Sequence, residues 1–411
     1  MRNSFVTRKI LTIAGSPRVV FLVALTFRVC AATQLPADKA WQYFYRYNEF
    51  ARIAWCLVSG HGFSSPWPNT PLALTAVEPP VYAALLAVIF KLAGAYSFSA
   101  MWIAIGLNAV FSATTAVLIL KVGQDLFGSP VGILAAWIWS CWIYEAVVAI
   151  RLWESSLSAL LLMIALAWTS ALIKSRSWFN WVGFGVLAGV SALTNPALLA
   201  VIACLWLWLC IRGRQKGFSR NGQLIASIAA CVLVVIPWTI RNHAALGRWV
   251  PVRDNFGLEL WLGNHEGVDR AFNTDFPILN PAPYNQLGEI GYMETRRASA
   301  IDFIRQHPGE FVGFSLRRIY LYWTRPAGSA WPMISVLAWI GVWLAVKRKQ
   351  MQLVPHAIAM TMFPVVYYIT HTFPTYRHVI EPSILLMAAY ATVTAVQIAT
   401  KRSNNSKVQA S

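Results

Sequence analysis

Glu78-Pro79-Pro80-Val81-Tyr82-Ala83-Ala84-Leu85-Leu86-Ala87-Val88-Ile89-Phe90-Lys91-Leu92-Ala93-Gly94 is the stretch on which the threading of the chain turns. It is apolar, it opens on two prolines, and it is shorter than the roughly 20 residues a membrane crossing needs. Whether it crosses decides on which side of a bilayer the segments before and after it lie.

The surroundings of this run place it in a polytopic membrane protein. The 411 residues are 57% hydrophobic and only 12% charged, against roughly 25% charged in an average soluble domain. Ten further apolar runs are candidate spans: 19–35, 99–121, 131–150, 155–173, 181–194, 196–211, 223–240, 329–346, 352–370 and 380–399. The formal charge of +18 would suggest nucleic acid in a soluble chain. Here the basic residues sit in short stretches between apolar runs, the usual pattern of cytoplasmic loops, so nucleic acid is not an expected partner. The six cysteines form no Cys-x-x-Cys pair, which argues against a disulfide framework or a zinc site. The basic N-terminus runs into the first apolar segment without a clear cleavage site, so an uncleaved first span is expected.

Five basic stretches orient the chain: Arg2 to Lys9, Lys174/Arg176, Arg212 to Arg220, Lys347 to Lys349, and Lys401/Arg402. If all face the cytoplasm, the number of crossings between successive stretches is even. Four spans precede Lys174 without the Pro-Pro run and five with it, so the run is expected not to cross. The same parity divides 181–211 into two short spans at Asn195-Pro196, where proline interrupts a helix. The expected fold class is therefore an all-α polytopic membrane protein of about ten transmembrane helices. Its expected parts are a membrane domain, 1–240, with a first outer loop at 36–98; an outer loop region, 241–328; and C-terminal membrane helices with a short cytoplasmic tail, 329–411. Fourteen of the sixteen acids then fall on the outer side, although only basic residues were used to orient the chain.

Four outer places gather polar chemistry. Asp38 and Glu49 lie in the first loop, where Tyr45 to Leu57 reads as an amphipathic helix on the membrane surface. Glu78 and Tyr82 open the Pro-Pro run; Arg151 and Glu154 lie in a tight link between two spans; His371, Arg377, His378 and Glu381 precede the last span. Arg241, Arg317, Arg318 and Arg325 flank the large loop. Each place also has a plain structural reading: Arg151/Glu154 as an interfacial ion pair, Arg317/Arg318 as snorkelling anchors, Arg377/Glu381 as a cap on the last span. Glu145 lies within a span, where an acid is costly and a functional candidate by default. His61, His371 and His378 have no metal-ligand spacing, so no cofactor is implied, with a divalent metal left as an option.

Acids and arginines at one membrane face suit sugar transfer from a lipid-linked phosphate. A carboxylate deprotonates the acceptor, and guanidinium groups hold the departing phosphate.

Several stretches in order resemble a known family. Ala51-Arg52-Ile53-Ala54 through Ser59-Gly60-His61-Gly62-Phe63 comes first, followed by Glu78-Pro79-Pro80-Val81-Tyr82, Leu126-Phe127-Gly128 and Trp153-Glu154-Ser155. Thr194-Asn195-Pro196, Pro237-Trp238-Thr239-Ile240-Arg241-Asn242, Gly257 to Asn264 and Tyr376-Arg377-His378 follow. Together they resemble bacterial glycosyltransferase family 39, relatives of the protein O-mannosyltransferases and of the lipid A aminoarabinose transferase, which have the GT-C membrane fold. The resemblance implies a polyprenyl-phosphate-linked sugar donor, a lipid, glycan or protein acceptor, catalysis on the periplasmic side of a bacterial inner membrane, and a catalytic acid in the first outer loop. Where relatives carry Asp or Asp-Glu, this chain has Tyr45 and Arg46. Glu49, one turn later, is the expected base, with Asp38 as the next choice and Glu154 as the second acid of the site. Arg377, Arg151 and Arg241 are the expected phosphate contacts, and Glu78, Tyr82 and His378 further site candidates. The family's usual arginine before Pro196 is Asn195 here. A lipid-linked glycan transporter or flippase and a glycan polymerase or ligase are the alternative readings.

Overall fold

The computed structural model describes residues 11–34, 45, 48–215, 220–268, 281–325 and 330–409. Among them there is no β-strand, only a single antiparallel bridge between Ser64 and Leu74. The first half runs α1 (Pro17–Thr33), α2 (Glu49–Val58), α3 (Pro80–Ala93), α4 (Phe98–Phe127), α5 (Ser129–Cys141), α6 (Ile143–Ala149), α7 (Ser155–Leu172) and α8 (Trp178–Thr194). The second runs α9 (Ala197–Gln215), α10 (Asn221–Leu246), α11 (Phe256–Gly263), α12 (Ala282–Gln306), α13 (Pro308–Thr324), α14 (Trp331–Lys347), α15 (Val354–Met362), α16 (Val365–Ile369) and α17 (Glu381–Gln409).

Each of the ten expected spans falls on a helix or a broken helix. Six described segments are long and apolar enough to cross a bilayer, and the bent pair α5 and α6 makes a seventh if it is one span. Two expected straight spans are broken. The run 131–150 bends by 64° between α5 and α6, and 352–370 divides at Phe363-Pro364, where proline cannot continue the hydrogen-bond ladder.

The bend between α5 and α6 leaves carbonyls without helical partners at a depth where water is scarce, and such groups must be satisfied by protein. Arg28 of α1 does this. Its Nη2 donates to Trp139 O at 2.9 Å, its Nη1 to Ser140 O at 2.9 Å, and its Nε to Ser112 Oγ of α4 at 2.7 Å. An arginine inside the first apolar run is thus a cap for a helix more than a hundred residues away.

Helices pack closely where side chains are smallest. Gly185 of α8 faces the backbone of Ser227 on α10, and Gly341 of α14 faces that of Met387 on α17; a Cβ at either glycine would overlap a carbonyl oxygen. Such contacts are the usual means of association where lipid removes the hydrophobic advantage of packing. α7 lies deepest, with Ser155 to Met163 buried all round.

The Pro-Pro run forms α3. Its 14 residues reach only about 21 Å at the helical rise, short of the ~30 Å hydrocarbon core. Both of its ends touch one short part of the first loop. Glu78, just before its start, meets Glu49. At the other end the Tyr45 ring packs 5.9 Å from Phe90 and 5.2 Å from Tyr96, and Tyr45 OH donates to Ser97 O.

Candidate active site

α2 begins at Glu49 because Asn48 caps it: Ala51 N donates to Asn48 Oδ1 at 2.8 Å. The same asparagine donates through Nδ2 to Leu152 O at 2.7 Å, tying the first loop to the α6–α7 link. Phe50 wedges between Tyr82 and Trp153, with edge-to-face ring contacts of 5.3 and 5.0 Å. Glu49, Glu78 and Glu154 are thereby brought together from three separate segments, each 8% exposed or less.

Glu49 accepts a hydrogen bond from the Trp67 indole N–H and lies beside the Glu78 carboxyl. Burial pushes both carboxyls upward and carries Glu78 well above the ordinary range, with Arg253 opposing the rise and Glu49 and Glu154 adding to it. Two carboxyls this close disfavour each other's ionisation. Glu154 lies at the first turn of α7. Its Oε1 is 3.5 Å from Asn195 Nδ2, and its Oε2 has no hydrogen-bond partner among the described residues. Burial lifts it to about 7, with Arg253 working against that rise and Glu49 and Glu259 adding to it.

The cation at this site is Arg253. Its Nε donates to Val77 O at 3.0 Å, and its Nη2 lies 3.0 Å from Glu78 Oε1 and 3.7 Å from Glu259 Oε1. Burial alone would lower its pKa, but the surrounding glutamates reverse the sign. Its side chain is 24% exposed, and Nη1 makes no hydrogen bond among the described residues. Glu259 of α11 completes the group, with Oε2 at 3.0 Å from His371 Nδ1. Burial pushes Glu259 upward, but His371 and Arg253 outweigh it and hold the carboxyl below its usual range. His371 Nε2 lies 3.0 Å from Tyr376 OH. Among the described residues no group of three or more His, Cys, Asp or Glu is placed to hold a metal ion.

Several helix ends and the loops that follow them meet at this site. α7 starts at this site, α8 ends there at Asn195, α10 leads to Arg253, and α16 to His371.

The other expected site residues are placed elsewhere or bound otherwise. Arg377 is fully buried: Nε and Nη2 bind Glu381 at 2.6 and 3.1 Å, and Nη1 donates to Ser335 Oγ at 2.7 Å and Trp323 O at 3.1 Å. It has no accessible donor for a phosphate, which corrects its expected role. Arg241 likewise serves the backbone, donating to Thr75 O at 2.6 Å and Phe63 O at 2.7 Å. Tyr82 is buried and accepts from Asn108 Nδ2 at 2.7 Å. That amide also donates to Arg151 O at 2.6 Å and so fixes the backbone of the Arg151–Glu154 link. His378 sits in a separate buried network, 2.5 Å from Glu145 Oε2 and against the Trp139 ring. Asp38 lies outside the described residues. Arg253 and Glu259 were missed as site residues. Glu259 stood within a family-like stretch, but Arg253 stands in a loop with no periodicity or motif to mark it.

Residues 77–240 match the family of dolichyl-phosphate-mannose-protein mannosyltransferases. Among curated proteins none matches the sequence. Three solved structures share the fold. ArnT from Cupriavidus metallidurans bound to undecaprenyl phosphate aligns with a TM-score of 0.51 at 14% identity, over 94% of this chain and 60% of that one. The Archaeoglobus fulgidus oligosaccharyltransferase in its apo form aligns with a TM-score of 0.55 at 12% identity, over 95% and 52%. AglB of the same organism, in complex with an inhibitory peptide and a dolichol-phosphate, gives 0.53 at 13% identity, over 95% and 52%. The chain thus spans between about half and three fifths of those proteins. It has the GT-C glycosyltransferase fold of these membrane proteins, and over residues 77–240 it carries the sequence pattern of the protein mannosyltransferase family.

Proposed function

We propose that this protein is a membrane glycosyltransferase that moves a sugar from a polyprenyl-phosphate-linked donor to an acceptor at the outer face of a bacterial inner membrane. The observation that carries this reading is the convergence of Glu49, Glu78, Glu154 and Glu259 on Arg253, whose Nη1 remains available. In the proposed step an acceptor nucleophile attacks the anomeric carbon while Glu49 takes its proton. The bond from that carbon to the phosphate oxygen breaks, and the lipid phosphate leaves with an additional negative charge that meets Arg253. Glu154, with one oxygen unpartnered among the described residues, orients the acceptor.

The lipid phosphates in the ArnT and AglB structures and the peptide in AglB support a donor of this class. They leave lipid, glycan and protein open as acceptors. The transport alternative gains no support from the buried charges of α1, α6 and α17, which bind one another and helix carbonyls. Mass spectrometry of envelope lipids, glycans and proteins after gene deletion is expected to reveal a missing sugar on one acceptor class. Complementation with Glu49→Gln is then expected to leave that sugar missing although the protein inserts normally. Full restoration by Glu49→Gln would transfer the base role to Glu154 or Asp38, and an unchanged envelope in the deletion strain would sink the transferase reading.

A further inference from the structure

The segment Thr75-Ala76-Val77 leads directly into Glu78, and its polar groups are held on every side. Thr75 N donates to Phe63 O at 3.0 Å, and Thr75 O accepts from Arg241 at the end of α10. Ala76 O accepts from Asp254 N at 2.8 Å, Val77 N donates to Thr75 Oγ1 at 3.0 Å, and Val77 O accepts from Arg253. The remaining two donors, the Thr75 hydroxyl and Ala76 N, go to one side chain more than two hundred residues away. Glu289 accepts from Thr75 Oγ1 through Oε2 and from Ala76 N at 2.8 Å through Oε1. Glu289 is 7% exposed and sits beside Gly288, whose positive φ of 67° kinks α12. Tyr284 OH also donates to it, at 3.1 Å. The groups facing it are thus Tyr284 of its own helix, Thr75 and Ala76 of the first loop, Asp254 of the following loop, and Arg241 of α10.

We infer that Glu289 is a positioning residue for the acid site. From α12 it sets the register of Thr75 to Glu78, and through it the distance between the Glu78 carboxyl, Glu49 and Arg253. This inference rests on the transferase reading for its effect on rate, but not for its effect on the carboxyl pair. A glutamate that only filled space would not need both oxygens on consecutive residues of the segment carrying Glu78. Two hydrogen bonds to adjacent residues fix the backbone's rotation as well as its position. A shift of about 1 Å at a reacting group can lower a rate on the order of 100-fold.

The test uses the full-length protein in detergent and in membrane vesicles. A carbodiimide, which reacts with protonated buried carboxyls, is applied over a range of pH, and modification of Glu78 is followed by peptide mass spectrometry. Glu289→Ala is expected to move the midpoint of Glu78 modification by about one pH unit, since the Glu49 and Arg253 contacts that set it are altered. Glu289→Gln retains an oxygen for Ala76 N and sets an amide N–H against Thr75 Oγ1, so both contacts can be remade, and it is expected to restore the wild-type midpoint to within about 0.3 unit. In transfer assays Glu289→Ala is expected to lower kcat on the order of 10- to 100-fold while KM for the lipid donor changes less than about threefold. Thr75→Val, which removes the bridging hydroxyl at nearly constant volume, is expected to move the Glu78 midpoint in the same direction. An unchanged midpoint in Thr75→Val overturns the inference even if Glu289→Ala does not fold. A shifted midpoint with no transfer by any variant, wild type included, would support the positioning role and defeat the transferase reading instead.

Discussion

Three of the four glutamates at the site are held above their usual range by burial, and this shapes what each can do. Glu154 is pushed from 4.5 up to about 7, so its ionisation falls within the span of an ordinary assay. If it orients the acceptor as a carboxylate, transfer should rise from about pH 6 to about pH 8, and Glu154→Gln should flatten that limb. The same shift bears on stability. A carboxyl whose folded pKa is raised contributes stability that is fully present below its unfolded value near 4.5 and lost as pH climbs through about 7. Glu154→Gln is therefore expected to raise thermal stability at pH 8, by about 1–3 kcal/mol, and to leave it unchanged at pH 4. Thermal unfolding in detergent at the two pH values checks this. Arg253→Lys keeps the charge but loses the fork that reaches Val77 O and Glu78 together. It is expected to lower kcat/KM on the order of 100-fold, about the loss of one preorganised donor to a developing anion, as steady-state kinetics with a lipid-linked donor would show.

Among the helices, the decisive features are ones that let backbones approach or let them bend. Gly185 on α8 has no room for a Cβ against Ser227 O, whereas Gly106 on α4 has nothing within 4 Å. Gly185→Ala is expected to destabilise the protein by about 1–3 kcal/mol through overpacking. Gly106→Ala should be neutral or slightly stabilising, since alanine is the better helix former. The two melting temperatures measured side by side in one detergent decide it. Arg28→Leu fits an apolar run better by composition, yet it would orphan the Trp139 and Ser140 carbonyls at the α5–α6 bend. A loss of about 3–5 kcal/mol is expected, as for other buried networks broken on one side, and a variant melting like the wild type would show the cap to be dispensable.

Among the described residues, the candidate site is assembled from helix ends and the loops that follow them. The ends of α7, α8, α10 and α16 meet there although they lie far apart in sequence. One crossing, α10, separates Arg214 from Glu266. In a background lacking the native cysteines, Glu266→Cys is expected to react with an impermeant maleimide on intact cells, and Arg214→Cys only after permeabilisation. Labelling of Arg214→Cys alone from the outside would reverse the proposed threading, and labelling of both would show that α10 does not cross.

What the sequence determined by itself was the helical plan: which runs form helices, and that the Pro-Pro run forms one shorter than the others around it. Bilayer insertion depends on sums of transfer energies over some twenty residues, and such sums survive ignorance of every contact. Only the tertiary structure decided which arginine faces the acids. Arg377 and Arg241 stand in more family-like surroundings than Arg253, yet Glu381, Ser335 and backbone carbonyls occupy their donors. A guanidinium's role depends on which lone pairs lie within about 3 Å of its nitrogens. Here those lone pairs come from segments up to about 180 residues away, at distances no local pattern encodes.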